Sequence, residues 1–560
     1  MTGPRSWWGW GRSDAALGQA ELDGLGALLA ERFERPPAAP SVPVDPRRVA
    51  LPAPRTRTPG ALAAVVSEDP VDRLRHGHGN AFRDVARAVH GEVPHVPDAV
   101  VRPRSEDEVA AVLEWCTQAG IACVPFGGGT SVVGGVTPPP TPAVSLDLEC
   151  LGGVASLDPV SGLARVGAGT DGPRLEEELR PQGLTFRHFP QSWEFSTVGG
   201  WIATRSAGHF ATGPTRVDDL VAAVTAVTPT GVWRSRRLPS SGAGPSPDRL
   251  LLGSEGILGV VTEAWLRVQP RPGSRGSATL CFDRFEDGLS AVRAITQDGL
   301  RPANCRLLDP TEAALSGAEA PGSPASLLLL GFEAPEGPVD APVARAVELA
   351  RDHGARVVDG PSFRLGDRAQ APADGSGAWR ETFLRAPYVR DALVRLGAVV
   401  ETFETATTWD RAADLVADLR TAAQGAATEV CGGALVAVRT THAYPDGVAP
   451  YVTVVAPGPP GELEGPALGR AQVAAWDEVK VAVSEVLDAA GATVTHHHAV
   501  GRDHRPWYDR QRPEPFARAL AAAKAAVDPA GVLNPGVLVG PVQHGHDDGA
   551  ATTRPGGTTP

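Results

Sequence analysis

The sequence predicts an α+β protein of two main domains behind a helical N-terminal extension, and three observations carry that prediction. A strand–helix–strand opening, DAVVRPRSEDEVAAVLEWCTQAGIACVPF (98–126), runs directly into a glycine loop, GGGTSVVGG (127–135). Short strand patterns bounded by turn residues follow, with helical stretches between some of them. Near Pro270 the texture changes to a strand, helix, strand alternation that continues to about residue 455, which marks a second domain. At 560 residues the chain has apolar surface enough for two or three domains.

Taken in order, residues 1–97 mix helical patches with Pro/Arg-rich linker such as LPAPRTRTPG. The tryptophans of MTGPRSWWGWGR are expected to pack rather than to meet lipid, and this start lacks the basic-then-apolar order of a secretory signal. In the opening unit Ser105 stands as N-cap before Glu106, Asp107 and Glu108, an acidic first turn. Val109, Val112, Leu113 and Cys116 follow at helical spacing, Gly120 ends the helix, and IACVPF reads as a short buried strand. AVSLDLE, GVASLDPVSGLARVGAG, LVAAVTAVTPTGVW and LGVVTEAWLRVQP read as strands; PRLEEELRPQG reads as a helix with Pro173 in its first turn. The first domain therefore covers 98–270 and the second 271–510. The last ordered segment, 511–540, contains PEPFARALAAAKAAVDPAGVLNPGVLV. The tail 541–560 has no apolar periodicity and is expected to be disordered.

Composition removes several classes of function. A net charge of −13 argues against sequence-independent binding of nucleic acid. No apolar run reaches the ~18–20 residues that span a bilayer. The six cysteines (116, 123, 150, 281, 305 and 431) form no CxxC pair, as expected of reduced thiols rather than a disulfide framework or a zinc site. Only Lys480 and Lys524 are lysines, against many arginines; with the Ala, Gly and Pro load this suggests a GC-rich bacterial genome.

The glycine loop carries the first functional reading. A Walker A site needs a lysine to reach the terminal phosphates, and none lies near. Gly167-Ala-Gly169-Thr-Asp-Gly172 has the spacing of a dinucleotide fingerprint, yet it stands alone and reads as a tight strand-to-helix turn. Pro125-Phe126-Gly127-Gly128-Gly129-Thr130-Ser131 is more specific. Main-chain N–H groups without Cβ atoms in the way form an anion-holding nest, and two hydroxyls add donors. Such a site neutralises a diphosphate without a lysine, on an acidic protein. A glycine turn that merely lets two backbones pack is the plainer alternative.

Four ordered segments resemble the vanillyl-alcohol-oxidase, or PCMH-type, FAD-binding fold: PFGGGTSVVGG (125–135), PQSWEFSTVGGWIATRSAG (190–208), GSEGILGVVTEAWLRV (253–268) and DPAGVLNPGVLV (528–539). The resemblance implies FAD, held in a two-subdomain FAD-binding domain over 98–270. It also implies an α+β cap, or substrate-binding, domain with an antiparallel sheet over 271–510, and a 511–540 segment returning to the FAD domain. By that resemblance Pro125 to Ser131 hold the diphosphate. Gln191, Ser192, Trp193, Glu194, Phe195, Ser196 and Thr197, with Thr204, Arg205, Ser206 and Ala207, lie along the flavin and its ribityl chain. Glu255, Gly256, Ile257, Leu258, Gly259, Val260 and Val261 give main-chain contacts near the adenosine half. The residue types agree, since Ser196 and Thr197 are small donors placed before Gly199 and Gly200, where a flat ring can approach the backbone. The stretch 125–135 has no His, Cys or Tyr, so non-covalent FAD is expected.

Finer matches resemble the alkyldihydroxyacetonephosphate synthase family, which makes the ether bond of ether lipids: Arg75-His76-Gly77-His78-Gly79, CRLLD (305–309), YVRD (388–391) with FETATTWDR after it, YPDGVAPY (444–451), and His496-His497-His498 before AVG. The resemblance spans about residues 70–540. It implies a transferase without net oxidation, in which flavin N5 forms an adduct with C1 of acyl-dihydroxyacetone phosphate, the fatty acid leaves and a fatty alcohol replaces it. It assigns Tyr451 as the base, a phenol that a nearby arginine or histidinium would have to lower from about 10. Arg390 takes the phosphate through its bidentate fork. His497, flanked by His496 and His498, orients or protonates near N5 and the leaving carboxylate; Arg306 and His188 lie near the flavin. Taken alone, Tyr451 in YVTVV reads as a core tyrosine, Arg306 and Arg390 as ion-pair residues, and three successive histidines on a strand as alternating between faces. One departure stands out: Gln191-Ser192-Trp193 replaces the family's Asp-Ser before the Glu-Phe-Ser-Thr run.

The alternative is an FAD-linked oxidase or dehydrogenase of a 2-hydroxy acid such as D-lactate or glycolate, whose members tend to use histidine where Tyr451 stands. A third reading is a catalytically silent flavin- or lipid-binding protein. No metal is assigned, although His442 and the triple histidine leave one open. The C-terminus carries no peroxisomal address. A bacterial cytoplasmic homodimer is expected, with peripheral contact at the inner membrane face to collect lipid substrates.

Overall fold

The opening unit forms where the sequence places it. In the computed structural model, which describes residues 3–36, 38–318, 325–366 and 376–540, Ser105 Oγ accepts from Glu108 N at 3.1 Å and caps the helix Glu106–Ala119. Val109, Val112, Leu113 and Cys116 are buried along its inner face, and Gly120 closes it at φ +65°. The helix crosses between the parallel strands Ala99–Val101 and Ala122–Phe126, which both flank Ala143–Asp147; Val66–Ser67 adds an antiparallel edge. The tail 541–560, expected to be disordered, lies outside the described residues.

A second sheet packs on the first through a shared apolar core. Its five antiparallel strands run in the order Val154–Asp158, Leu163–Gly167, Val260–Arg267, Val221–Thr228 and Gly231–Arg234. The isolated Gly-x-Gly sequence leaves the second of these strands and enters the helix Gly172–Leu179, capped by Asp171 and carrying Pro173 in its first turn. A Cβ on Gly167 or Gly169 would lie 2.3 Å from Leu151 O or 1.9 Å from Leu148 O. Close packing against 148–151 therefore accounts for these glycines, and no ligand is needed to explain them.

Beyond residue 270 a larger antiparallel sheet takes over. Its path runs Arg356–Leu365, Ser274–Phe282, Ser326–Ala334, Asn304–Leu308, Leu435–Ala443, Gly447–Ala456 and Val399–Glu404, with Thr407–Thr408 beside Gly447–Ala456. The helices Phe285–Gln297, Asp340–Asp352, Ala412–Cys431 and Gly465–Ala489 pack on it over a second core. The chain then returns to the first sheet. Cys123 N donates to Val532 O at 2.8 Å, and Asn534 N donates to Cys123 O at 2.9 Å.

The N-terminal residues wrap across both halves. Trp7 and Trp10 are buried, as packing tryptophans should be, and Trp7 Nε1 donates to Val44 O at 3.2 Å. The helix Gln19–Phe33 follows, and Arg35 holds Gly458 O at 3.0 Å.

Candidate active site

The glycine loop begins where the strand Ala122–Phe126 ends. Its main-chain N–H groups from Gly128 to Val132 have no acceptor among the described residues. Two of the loop's carbonyls, by contrast, are taken by one residue: Asn80 Nδ2 donates to Gly129 O at 2.8 Å, and Asn80 N to Ser131 O at 2.6 Å. Unpaired amides from consecutive residues, half-buried at 128 and 130–132 and buried at Gly129, are the donor set a diphosphate requires. FAD therefore fits these residues.

Missing side chains also bring the flavin segments together. A Cβ on Gly128 would lie 1.8 Å from Phe195 O, one on Gly127 2.4 Å from Thr197 Oγ1, and one on Gly256 2.9 Å from Pro125 Cγ. Gly501 is in the same position against Val133 O, at 2.1 Å. Asn534 Nδ2 joins Gly135 O and Glu255 O at 3.1 and 2.8 Å. The close backbone packing offered as the plainer reading of the loop is thus present together with the nest.

Within 190–208 most polar side chains serve the protein itself. Ser192 Oγ donates to Ser196 Oγ, which also receives Trp201 Nε1 at 2.7 Å. Thr197 caps the helix Val198–Thr204, Thr204 Oγ1 donates to Gly200 O, and Arg205 pairs with Asp218. Trp193 packs on Gly172, Glu194 lies 3.7 Å from Arg12, and Ala207 bridges to Arg216. Ile257, Leu258 and Val260 are fully buried in the apolar core, main chain included. Burial pushes the Glu255 carboxyl up to about 7, although Val500 N and Gly501 N donate to it at 2.9 and 2.8 Å.

The second part of the site is a row across the large sheet. Glu404 is opposite Tyr451, and Tyr451 opposite Arg439, on three adjacent strands, so all three side chains share a face. Arg439 pairs in register with Leu308, and Arg306, two residues earlier on that strand, shares Leu308's face. The Arg439 guanidinium sits 3.9 Å over the Tyr451 ring and bonds Glu312. Arg306 donates to His209 O at 2.9 Å. Burial raises the Tyr451 phenol, and Arg439 only partly offsets this. The expected lowering is therefore corrected: the arginine is present, but loss of water outweighs it.

Glu404 organises the histidines. Its carboxylate accepts from the backbone N–H of His496, His497 and His498 at 2.6, 2.9 and 2.7 Å, and from Thr495 Oγ1 at 2.6 Å. Burial opposes its ionisation, but the neighbouring imidazoles of His497, His498 and His496 and a side-chain hydrogen bond from His497 hold it well below the usual carboxylate range. Three consecutive N–H groups turned to one acceptor cannot belong to a strand. Residues 492–500 are irregular, and the expected alternation of faces is replaced by one fan of imidazoles.

The rings stand in mutual contact. His496 Nε2 meets Tyr444 Oη at 2.8 Å, and His496 Nδ1 meets His497 Nδ1 at 3.0 Å. The His497 ring stacks 6.3 Å from Tyr451, and the His498 ring lies edge-on at 5.8 Å. Burial drives His496 and His498 down to about 3, so both are neutral. His442 Nε2 donates to Gly208 O at 2.9 Å, which leaves Nδ1 as a buried lone pair without a partner. Nitrogens of His442, His496 and His497 lie within 4.8 Å of one another and could hold a cation. The cluster abuts the flavin segment: Arg216 donates to His496 O at 2.7 Å and to Arg205 O at 3.2 Å.

Two expected residues stand apart from this fan. His188 is buried beside Trp201, with Nε2 2.7 Å from Ser206 Oγ, and burial drives it down to about 3. Arg390, near the end of the helix Ser376–Arg395, bonds Asp391 through Nε and Nη2 and Asn80 O through Nη1 at 2.7 Å. That places it beside the glycine loop, and no contact joins it to Tyr451 among the described residues. Glu404, Arg439, Tyr444 and Asn80 were missed as site residues. Glu404 and Tyr444 lie inside quoted motifs, and Asn80 directly follows one, whereas Arg439 has no local signal.

Two joined sheets with a bare-amide loop, capped by a large antiparallel sheet that carries a tyrosine–histidine cluster, define a two-domain flavoprotein. The FAD binding domain family matches residues 97–235, and the family of FAD linked oxidases, C-terminal domain, matches 271–538. Alkyldihydroxyacetonephosphate synthase of Dictyostelium discoideum is 28% identical over 506 residues, covering 85% of this chain and 78% of that protein. The protein of the same name from Trypanosoma brucei brucei is 28% identical over 524 residues, covering 87% and 82%. A solved alkyldihydroxyacetonephosphate synthase structure shares the fold at a TM-score of 0.77 and 24% identity, over 95% of this chain and 98% of that one. The chain thus carries both domains of the FAD-linked oxidases and is similar over most of its length to alkyldihydroxyacetonephosphate synthases.

Proposed function

We propose that the protein is an FAD-dependent alkylglycerone-phosphate synthase, which exchanges the acyl group of acyl-dihydroxyacetone phosphate for a fatty alcohol. The observation that carries this reading is Tyr451, aligned with Arg439 and Glu404 and faced by the histidine fan next to the flavin segment. When bound, oxidised flavin supplies the electrophile for C1 of the substrate. The chain's own residues do the rest. Tyr451 moves the C1 proton, and Arg439 over its ring favours the phenolate that accepts it. Glu404 fixes the backbone of 496–498 and so aims the imidazoles. His497, between Tyr451 and Glu404, gives a proton to the departing carboxylate, while neutral His496 and His498 offer acceptors without adding charge. Arg390 has two N–H groups beyond its three bonds, and we assign them to the substrate phosphate. Arg306 and His188 flank the flavin.

FAD is bound without a covalent link, a reading supported by the absence of His, Cys and Tyr from 125–135. A bacterial cytoplasmic setting is supported by composition and by six free thiols, five of them buried. A homodimer that collects lipid by peripheral contact with a membrane is carried over from the family resemblance. No helix among the described residues is long and apolar enough to cross a membrane.

The convergence of His442, His496 and His497 favours one second reading, a metal-assisted 2-hydroxy-acid oxidoreductase. One pair of assays separates the two. Palmitoyl-dihydroxyacetone phosphate with hexadecanol should give the ether without reducing a dye acceptor. Dye reduction by D-lactate, with no ether formed, would replace the first reading with the second.

A further inference from the structure

The unpaired amides of the glycine loop are aimed from behind. In a trans peptide the C=O and the following N–H point in opposite directions. A donor on the carbonyl of residue i therefore turns the N–H of residue i+1 to the other side. Asn80 does this twice, on Gly129 O and Ser131 O, which sends Thr130 N–H and Val132 N–H away from it. A third carbonyl, Gly128 O, is held by Arg5 Nη2 at 2.9 Å, across 123 residues of sequence. That grip turns the Gly129 N–H away from Arg5.

Arg5 is well fixed for this task. Its guanidinium lies 4.3 Å from the ring centroid of Phe195, the residue whose carbonyl would lie 1.8 Å from a Cβ on Gly128. Trp10 packs edge-on against the same ring at 5.8 Å, and its backbone N–H is bonded to Asp391. Asp391 in turn holds Arg390, which grips Asn80 O. Residues 5–10 and Asn80 thus form one connected brace behind the loop. Arg5 lies more than ninety residues before the matched FAD binding domain begins at residue 97.

We propose that the N-terminal strap is part of the cofactor site: Arg5 is a positioning residue for the FAD diphosphate, acting through the Gly128–Gly129 peptide. The strap supplies from behind the cation that the loop lacks, and its charge polarises the amide that meets the anion. This rests on reading 127–132 as the diphosphate cradle.

The test is cofactor affinity in the full-length protein, stripped of flavin and titrated separately with FAD and with riboflavin, which has no diphosphate. Arg5→Ala should weaken FAD roughly tenfold, the loss of one hydrogen bond to a charged group, and leave riboflavin unchanged. Arg5→Lys, which keeps the charge but loses the flat stack on Phe195, should fall between, and it carries the comparison if R5A does not fold. FAD affinity unchanged in R5A or R5K would overturn the proposal. So would an equal loss for FAD and riboflavin accompanied by a lower melting point of the apoprotein, because that is mere destabilisation. Gly129→Ala, at φ +65°, is the control for the underlying reading. If it too binds FAD normally, the cradle assignment fails; if it alone loses FAD, only the role of Arg5 fails.

Discussion

Around residues 127–132 the protein presents main chain to its ligand, whereas around Tyr451 it presents side chains. In the first region N–H groups are free because carbonyls are held from behind and Cβ atoms are absent. In the second, charged and aromatic groups are buried together, and their protonation is set by loss of water and by one another. The difference teaches where each region is fragile. A bed of amides tolerates changes in its hydroxyls but not an added carbon. A buried side-chain cluster is sensitive to single atoms and to pH.

The largest effect should come from adding one carbon to the bed. In Gly128→Ala the new Cβ would meet Phe195 O at 1.8 Å, so the loop and the flavin segment cannot both stay in place. The purified variant should be colourless and should not take up added FAD. Retained yellow colour would break the comparison.

Acid should act on the other region. His188, His496 and His498 lie at about 3 and His442 and His504 well below the ordinary value, whereas in the unfolded chain each titrates near ~6.5. Between those values the unfolded chain binds protons the fold refuses, so stability falls as pH drops below ~6.5. The slope is about 1.4 kcal/mol per pH unit for each net proton. Glu255 runs the other way. Raised to about 7, it keeps a proton in the fold that the unfolded chain releases above ~4.3, so it favours the fold as pH falls through that interval. Glu404, held down, adds its own loss only below ~4.3. Asp84, Asp309 and Asp391, also raised by burial, act in the same direction as Glu255, while His90 joins the lowered histidines. Six lowered histidines outnumber four raised carboxyls, so the urea midpoint measured from pH 8 to pH 5 should drop below ~6.5; a flat profile would show that these histidines are not held neutral.

Tyr451→Phe removes one oxygen from the cluster. Turnover should fall about 10²–10⁴-fold, the usual weight of a positioned acid–base group, with flavin absorbance unchanged. In the parent protein the rate should climb with pH above neutrality, because burial keeps the phenol protonated. The smallest effect should come from removing an oxygen from the bed. Ser131 Oγ accepts Gly135 N at 3.0 Å, and Ser131→Ala should cost about 1 kcal/mol of FAD affinity or less, read by titration of the apoprotein. If the two hydroxyl deletions had equal weight, the contrast between the regions would be lost.

Much of the bed was legible in the sequence because it depends on local rules. Glycine triplets, the Ser105 cap, and small residues at 196–200 report their roles within a few positions. The cluster was legible only as a set of residue types. The histidines were expected to alternate on a strand, but Glu404, 92 residues away from His496, gathers their three amides and removes them from any ladder. Arg439 was missed because nothing near it in the chain marks it; it matters only because register places it opposite Tyr451.

By itself the sequence determined the α+β class and the bare amide loop, which follow from backbone sterics and capping that act over a few residues. The flavin segments and the candidate site residues were legible only through a family resemblance. Only the tertiary structure decided that Arg5 stands behind Gly128, that Glu404 collects the histidines, and that the Tyr451 phenol is raised rather than lowered. Those outcomes depend on strand register and on exclusion of water, and both are set by contacts between residues tens to hundreds of positions apart.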